Sequence, residues 1–153
     1  YLQANANLYG GEAGIHFHPH PIDWLHITSS FESVTGKKQN GENLPLIPAM
    51  KWNSSIKTEF KSTKWFKDGF AVLNVEHTLN QNNPGLFETN TTDYTLLNLG
   101  FGGQIRLGKM AFDVNINANN LLDKRYISHL SRLKNDGIPN MGRTVVLGIN
   151  FSI

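Results

Sequence analysis

The sequence contains no cysteine, so neither a disulfide bond nor a thiol-based site is available to it. It also lacks a long apolar run, since no stretch approaches the roughly 18 residues of a membrane-spanning helix. Its charge is almost balanced, with 14 Lys and Arg against 12 Asp and Glu, which argues against a nucleic-acid partner. No Ser/His/Asp order, paired-carboxylate spacing, glycine-rich phosphate loop or CxxC pair is present, so the sequence predicts neither an enzyme nor a cofactor.

The residues that are abundant favour strands and polar turns. The chain of 153 residues has 14 glycines and 9 phenylalanines, and asparagine, serine and threonine are frequent. Apolar and polar side chains alternate with period two over long stretches, which places them on opposite faces of extended strands. The alternation is clearest near the end of the sequence, where one face carries Val145, Leu147, Ile149, Phe151 and Ile153.

The alternation predicts an all-β protein of about seven antiparallel strands. The connections between them are alternately short and long, a rhythm typical of transmembrane β-barrels with brief periplasmic turns and long extracellular loops. Within the last long connection, the stretch 125–134 predicts a turn or two of helix. The predicted strands cover 4–18, 24–36, 50–60, 70–79, 97–107, 110–119 and 142–153.

Two classes of β protein share this alternation. A soluble antiparallel sandwich or a lipocalin-like barrel buries its apolar face, whereas a membrane barrel turns that face to lipid. Periodicity alone does not separate them, because it does not show what the apolar face meets. Loop rhythm and an apolar final strand favour the membrane barrel, as do aromatic residues near the presumed periplasmic ends of the strands. These aromatic residues are Phe17, Trp24, Phe60, Trp65 and Phe66.

More specific motifs stand toward the end of the chain. An N-L-x-D-K-x-Y element precedes the last predicted loop, and a G-R pair opens the final strand. Upstream, NLYGGE at 7–12 and LPLIPAMKWN at 44–53 add similar elements. Together these motifs resemble the C-terminal part of a TonB-dependent outer-membrane receptor. The residues that carry the first two motifs are Asn120, Leu121, Asp123, Lys124, Tyr126, Gly142 and Arg143.

The resemblance implies a barrel of about 22 strands that is plugged by an N-terminal domain. Residues 1–153 are then a C-terminal barrel segment, with the plug absent from this chain. The expected location is the outer membrane of a Gram-negative bacterium, with the C-terminus in the periplasm. The expected partners are outer-membrane lipid, the remainder of the receptor, TonB through the plug, and a metal chelate such as a ferric siderophore or haem. A zinc-uptake receptor is the alternative within this family.

Two further interpretations belong to other classes. One is a small, self-contained structural or adhesive outer-membrane barrel, in which Tyr1 to Leu8 form an eighth strand set off by Gly10 and Gly11. The other is a soluble ligand-binding β-barrel. Seven strands alone do not close a bacterial barrel, and an open edge in lipid leaves backbone groups unsatisfied at several kcal/mol each.

Three histidines have a spacing compatible with metal binding. Period two places His16 and His18 on one face, and a short turn brings His26 alongside on the next strand. This spacing predicts a metal site. The alternative is that the three rings are polar lumen residues that pack against a plug.

The last extracellular loop contains a second candidate site. His129, Arg132 and Lys134 supply donors and positive charge for an anionic chelate, so they are predicted to bind substrate. The alternative is a solvated loop that packs against its neighbours.

Overall fold

A computed structural model describes residues 5–108 and 110–152. Over these residues the regular structure consists of β-strands, which confirms the all-β prediction. The strands are β1 (Ala6–Phe17), β2 (Leu25–Lys38), β3 (Lys51–Glu59), β4 (Phe66–Thr78), β5 (Tyr94–Leu107), β6 (Met110–Asn119) and β7 (Thr144–Ser152).

All seven strands form one antiparallel sheet in which each strand pairs with the next in sequence. The first and last strands are the two edges, and among the described residues β1 and β7 do not touch each other. The sheet is therefore open. β1 is continuous through Gly10 and Gly11, which pair with Val34 and Ser33, so these glycines do not set off an eighth strand. Residues 1–4 of that predicted strand lie outside the described residues.

The connections fall into two groups at opposite ends of the strands. We call the end with brief connections the short-turn rim and the other end the long-loop rim. At the short-turn rim the ring of Phe101 lies 5.8 Å from that of Phe60 and 6.0 Å from that of Phe66, so aromatic residues do gather there. The short-turn rim contains 18–24, 60–65 and the turn at Gly108, and the long-loop rim contains 39–50, 79–93 and 120–143.

The predicted helix in the last long connection is wrong. The stretch 125–134 forms successive tight turns, in which the amide of Ser131 donates to the carbonyl of Ser128 and that of Lys134 to Ser131. The amide of Ser128 bonds instead to the side chain of Asn140, so contacts distant in sequence determine the shape of this loop. In the part of the chain described here, no helix is long and apolar enough to cross a membrane.

One face of the sheet is apolar from edge to edge and exposed. Apolar residues that pair with each other across the strands form one continuous row over all seven strands of this face. The more exposed side chains of this row range from 39% exposed at Leu73 to 66% at Val145. The only large apolar residues buried among those described are Tyr94 and Leu96, at 7% and 9% exposure. The apolar faces are therefore not folded against each other as in a soluble sandwich. The row consists of Phe17, Ile27, Ile56, Leu73, Leu99, Ala118 and Val145.

The opposite face is polar and hydrogen-bonded across strands. The amide of Asn74 donates to the side-chain oxygen of Asn53 at 2.6 Å, and that of Asn98 donates to Asn74 at 3.1 Å. Lys51 pairs with Glu76 at 3.6 Å. The polar face thus carries hydrogen bonds and an ion pair that connect side chains of neighbouring strands.

β4 begins earlier than predicted because its pairing with β5 is irregular. The register shifts between Lys67 and Phe70, which is the mark of a β-bulge. Phe66 therefore pairs with Ile105 on the apolar face, whereas Phe70 lies on the polar face. The simple alternation from Phe70 onward does not reveal the first residues of the strand.

Candidate functional site

The three predicted metal-binding histidines lie together on the polar face at the short-turn rim. His16 lies opposite Thr28 in the β1–β2 pairing, and His26 is the second residue of β2. The ring of His26 stacks on His18 with 4.5 Å between centroids and lies 5.9 Å from the ring of His16. The sequence spacing therefore placed these rings correctly.

A carboxylate completes this histidine cluster. The Nε2 atom of His26 is buried, lies 3.6 Å from the Glu59 carboxylate, and has no hydrogen-bond partner among the described residues. His18 Nε2 is 2.8 Å from the backbone oxygen of Asp23. Sequence reasoning missed Glu59, which terminates β3 and becomes a neighbour only through the β2–β3 register.

The rings of the histidine cluster stack instead of pointing their nitrogens at one centre. No group of three or more His, Cys, Asp or Glu in the described part of the chain is arranged to hold a metal ion. Rotation of the rings is needed before three nitrogens converge, since zinc requires ligand distances near 2 Å. Metal binding by His16, His18 and His26 stays a prediction.

The second predicted site lies at the long-loop rim, where His129 is almost completely buried. Its side chain is 3% exposed. Its Nδ1 atom lies 2.8 Å from the hydroxyl of Thr91 and 3.1 Å from the ammonium of Lys134, and its Nε2 atom lies 3.7 Å from the carboxylate of Glu88. His129 thus joins loop 120–143 to loop 79–93.

Glu88 extends this connection to the third long loop. One of its carboxylate oxygens accepts the amide of Leu46 and the other accepts the amide of Gly85, both at 2.8 Å. Burial would raise the pKa of Glu88, but these two amides, with His129 and Lys134, lower it. The charged carboxylate therefore ties the loops together near neutral pH.

Burial also determines the charge of the imidazole. It lowers the pKa of His129, the nearby Lys134 lowers it further, and Glu88 opposes the change. Because the Lys134 ammonium donates to Nδ1, the neutral ring has its proton on Nε2, toward Glu88. Burial lowers the pKa of Lys134 as well. The structure therefore uses His129 chiefly to connect loops.

The three residues predicted to bind substrate have different positions. Lys134 lines an open cavity of about 430 Å³ at the long-loop rim, His129 lies buried against Lys134, and Arg132 is exposed and does not line the cavity. The cavity wall also includes Arg125 and Tyr126, which the sequence did not single out as binding residues. Arg125 and Tyr126 lie next to residues 89–92 because the two loops pack together, and no local sequence pattern indicates this contact.

Tyr126 is fixed by a contact with the sheet. Its ring lies 4.4 Å from that of Tyr94, the first residue of β5, on the polar-face side. Burial raises the pKa of Tyr126, with smaller contributions from Tyr94 and Glu76. The phenol therefore stays protonated and able to donate a hydrogen bond at neutral pH.

The motif residues of the last loop connect its two ends. Asn120 accepts the amide of Lys124 at 2.8 Å and donates to the carbonyl of the same residue at 3.0 Å. The carboxylate of Asp123 accepts the amide of Arg143 at 2.9 Å, just before β7. A β-carbon on Gly142 would lie 2.7 Å from that carboxylate. The motif thus holds the loop closed at its base.

No family model matches the sequence. Among solved structures, the chain is similar to the copper transporter OprC, with a TM-score of 0.80 and 21% sequence identity. The match covers 98% of this chain and 23% of the transporter chain. The likeness shows the fold, a seven-stranded antiparallel segment of a larger β-barrel, and this chain spans about a quarter of the neighbour's length.

Proposed function

We propose that this chain forms part of the wall of an outer-membrane transporter that imports a metal, as a chelate or as the ion. The observation that carries the proposal is the exposed apolar face, which crosses all seven strands and lies opposite a polar, hydrogen-bonded face. A surface of this kind suits contact with hydrocarbon on one side and water on the other.

Further strands complete the wall in this proposal. An unpaired edge in lipid leaves backbone N–H and C=O groups without partners at several kcal/mol each. Both β1 and β7 pair on one side only in the described sheet. The motifs at 120–143 support residues 1–153 as a C-terminal segment of a TonB-dependent receptor, with the plug and the TonB contact elsewhere in the receptor.

In the proposed orientation, the short-turn rim lies in the periplasm and the long-loop rim lies outside the cell. The lengths of the connections support it, because bacterial outer-membrane barrels have short periplasmic turns and longer extracellular loops. The C-terminus then lies in the periplasm and the loops face incoming substrate, at the outer membrane of a Gram-negative bacterium.

The cargo is a metal species, and two observations bear on its class. The structural neighbour is by name a copper transporter. The sequence motifs resemble receptors for iron chelates, which include ferric siderophores and haem, and more loosely the zinc-uptake branch. We place a metal chelate first and a weakly complexed copper or zinc ion second.

The alternatives fit the structure less well. A soluble ligand-binding barrel needs a buried apolar core, but Tyr94 and Leu96 are the only large apolar residues buried among those described. A self-contained outer-membrane barrel needs closure, and the described β1 and β7 do not meet.

Deletion of the coding gene tests the function. We expect the protein to fractionate with outer membranes, and the deletion strain to accumulate less of one supplied metal species. Ferric siderophore, haem, copper and zinc are supplied separately and cell metal is measured by mass spectrometry. Loss of the energising TonB complex should reproduce the defect. Unchanged uptake of all four species, or recovery of the protein in a soluble fraction without detergent, would contradict the proposal.

A further inference from the structure

We propose that a cavity at the short-turn rim binds the phosphate of an anionic phospholipid, with the acyl chains of that lipid lying along the apolar face. This inference rests on the membrane location and orientation in the proposed function, and it adds a lipid partner to them. The cavity, which we call the rim cavity, has a volume of about 610 Å³ and lies where the connection 60–65 meets the last residues of β5. Its lining consists of Lys64, Trp65, Arg106, Leu107 and Gly108.

The rim cavity borders the apolar face. The last row of paired residues that crosses β4 to β7 on this face contains three phenylalanines. Phe66 of this row directly follows Trp65 of the cavity lining. Ile105 of the same row directly precedes Arg106, so about one residue of strand, roughly 3.4 Å, separates the row from the cavity. An acyl chain on this face therefore ends beside the cavity, which favours a lipid over a free phosphate. The row consists of Phe66, Ile105, Phe112 and Phe151.

The charge of the lining favours a phosphate. Lys64 and Arg106 both line the rim cavity and are exposed, and no carboxylate lines it among the described residues. Asp68 and Asp113, which are carboxylates near this rim, line a different cavity. Gln104 separates Arg106 from Asp113, because its Oε1 accepts Nε of Arg106 at 2.9 Å and its Nε2 donates to the Asp113 carboxylate at 3.1 Å.

Arg106 is held in place with donors to spare. Its amide donates to the carbonyl of Trp65 at 2.9 Å, which joins the end of β5 to the connection 60–65. Only Nε of its guanidinium donates to another side chain in the part of the chain that the structure describes. The two terminal nitrogens therefore have N–H groups for phosphate oxygens. Arg106 and Leu107 have opposite phases in β5 and both line the cavity, so the cavity spans the end of the sheet.

A tight turn holds the other two lining side chains at the same level. The amide of Thr63 donates to the carbonyl of Phe66, and the amide of Phe66 donates to the hydroxyl of Thr63 at 3.2 Å. Trp65, within this turn, is largely exposed, and an exposed indole favours the boundary between hydrocarbon and headgroups. Lys64 has a long apolar stem that lets its ammonium reach a headgroup. Together these groups suit a lipid phosphate at the membrane surface.

Native mass spectrometry of the full-length protein in detergent tests the site. Phosphatidylglycerol and phosphatidylcholine with the same acyl chains are supplied in equal amounts. We expect phosphatidylglycerol to bind in excess, because choline neutralises the phosphate of the other lipid. Lys64→Gln and Arg106→Gln should each weaken phosphatidylglycerol binding about fivefold, the usual contribution of a basic residue near an anionic membrane surface. Glycerol 3-phosphate, which has the phosphate but no acyl chains, should not displace the lipid.

Lys61→Gln is the matched control. Lys61 lies in the same connection as Lys64 and is also exposed, but it does not line the rim cavity. Lys61→Gln and Lys64→Gln change long-range electrostatics about equally, so a difference between them reports contact in the cavity. We expect Lys61→Gln to weaken binding less than twofold. Equal effects of the two changes, equal binding of the two lipids, or displacement by glycerol 3-phosphate would overturn the site.

The two proposals fail separately. If phosphatidylglycerol binds selectively while deletion of the gene leaves metal uptake unchanged, the lipid site stands and the transport function is wrong. If uptake is lost in the deletion strain but Lys64→Gln and Arg106→Gln bind phosphatidylglycerol as the unchanged protein does, transport stands and the rim cavity is not the site. Heat-dependent mobility in gels confirms that each variant keeps its fold.

Discussion

Replacing Ile116 by arginine tests whether the apolar face meets hydrocarbon. Ile116 lies in β6, is 42% exposed, and sits between Phe101 on β5 and Leu147 on β7. From the start of β6 to Ile116 the strand rises about 20 Å at roughly 3.4 Å per residue. A tilt near 40° reduces this to about 15 Å along the membrane normal, near the middle of an apolar band about 25 Å tall.

An arginine at that depth costs about 2 to 4 kcal/mol in a transmembrane barrel. Since each 1.4 kcal/mol is a factor of ten, the folding equilibrium should fall by roughly 30-fold to several hundred-fold. On a water-exposed surface, the same change is worth about 0.5 kcal/mol or less. The two environments therefore predict clearly different results.

Asn117→Arg is the matched control, because Asn117 is the next residue of β6, is also exposed, and lies on the polar face. Both variants of the full-length protein are refolded from urea into lipid vesicles, and the folded fraction is measured by heat-dependent mobility in gels. We expect a large loss for Ile116→Arg and a change below about 1 kcal/mol for Asn117→Arg. Equal, small effects of the two changes would refute a lipid-facing apolar surface.

Three further predictions concern the rims of the sheet. Because burial lowers the pKa of His129, its connection between loops 79–93 and 120–143 should be complete above about pH 6.5 and should weaken as the pH falls below that value. Amide hydrogen exchange in 128–134 should then become faster at low pH. The His129→Asn variant should not show this pH dependence. Gly142→Ala should destabilise the protein by about 1 kcal/mol through its clash with Asp123, measured by urea unfolding, whereas Gly11→Ala, where a β-carbon meets nothing within 4 Å, should have little effect. Zinc titration tests the histidine cluster: we expect binding that the double change of His16 and His18 to alanine abolishes, and its absence would end that prediction.

The sequence predicted strands best where apolar and polar residues alternate most regularly. β6 was predicted at 110–119 and is observed at Met110–Asn119, because its alternation is nearly complete, with only Ala111 out of phase. The alternation in β4 is less regular, since Phe70 and Val72 fall on its polar side. The structure gives the reason: their side chains cover Gly102 and Gly100 of β5, where a β-carbon would lie 2.8 and 2.7 Å away.

The alternation of apolar and polar residues predicts strands, but it does not predict which loops contact each other. The proximity of His26 to His18 was predictable, because one short turn and the period of the strands place both residues on the same face, but the stacking of the two rings was not. The burial of His129 was not predictable, because it depends on Glu88 and Thr91, which belong to another loop. For the same reason the sequence did not single out Arg125, which lines the cavity, although it singled out Arg132 in the same loop.

Because each strand pairs with its neighbour in sequence, the loops of such a protein can change length during evolution without disturbing the sheet. Residues inserted into one hairpin end lengthen a single connection and leave every ladder in register. In the proposed transporter, specificity at the outer surface is thus free to diverge while the membrane wall stays constant. Changes in the loops would instead affect the hydrogen bonds that connect one loop to another. Loss of Glu88, for example, would leave the amides of Leu46 and Gly85 without their acceptor.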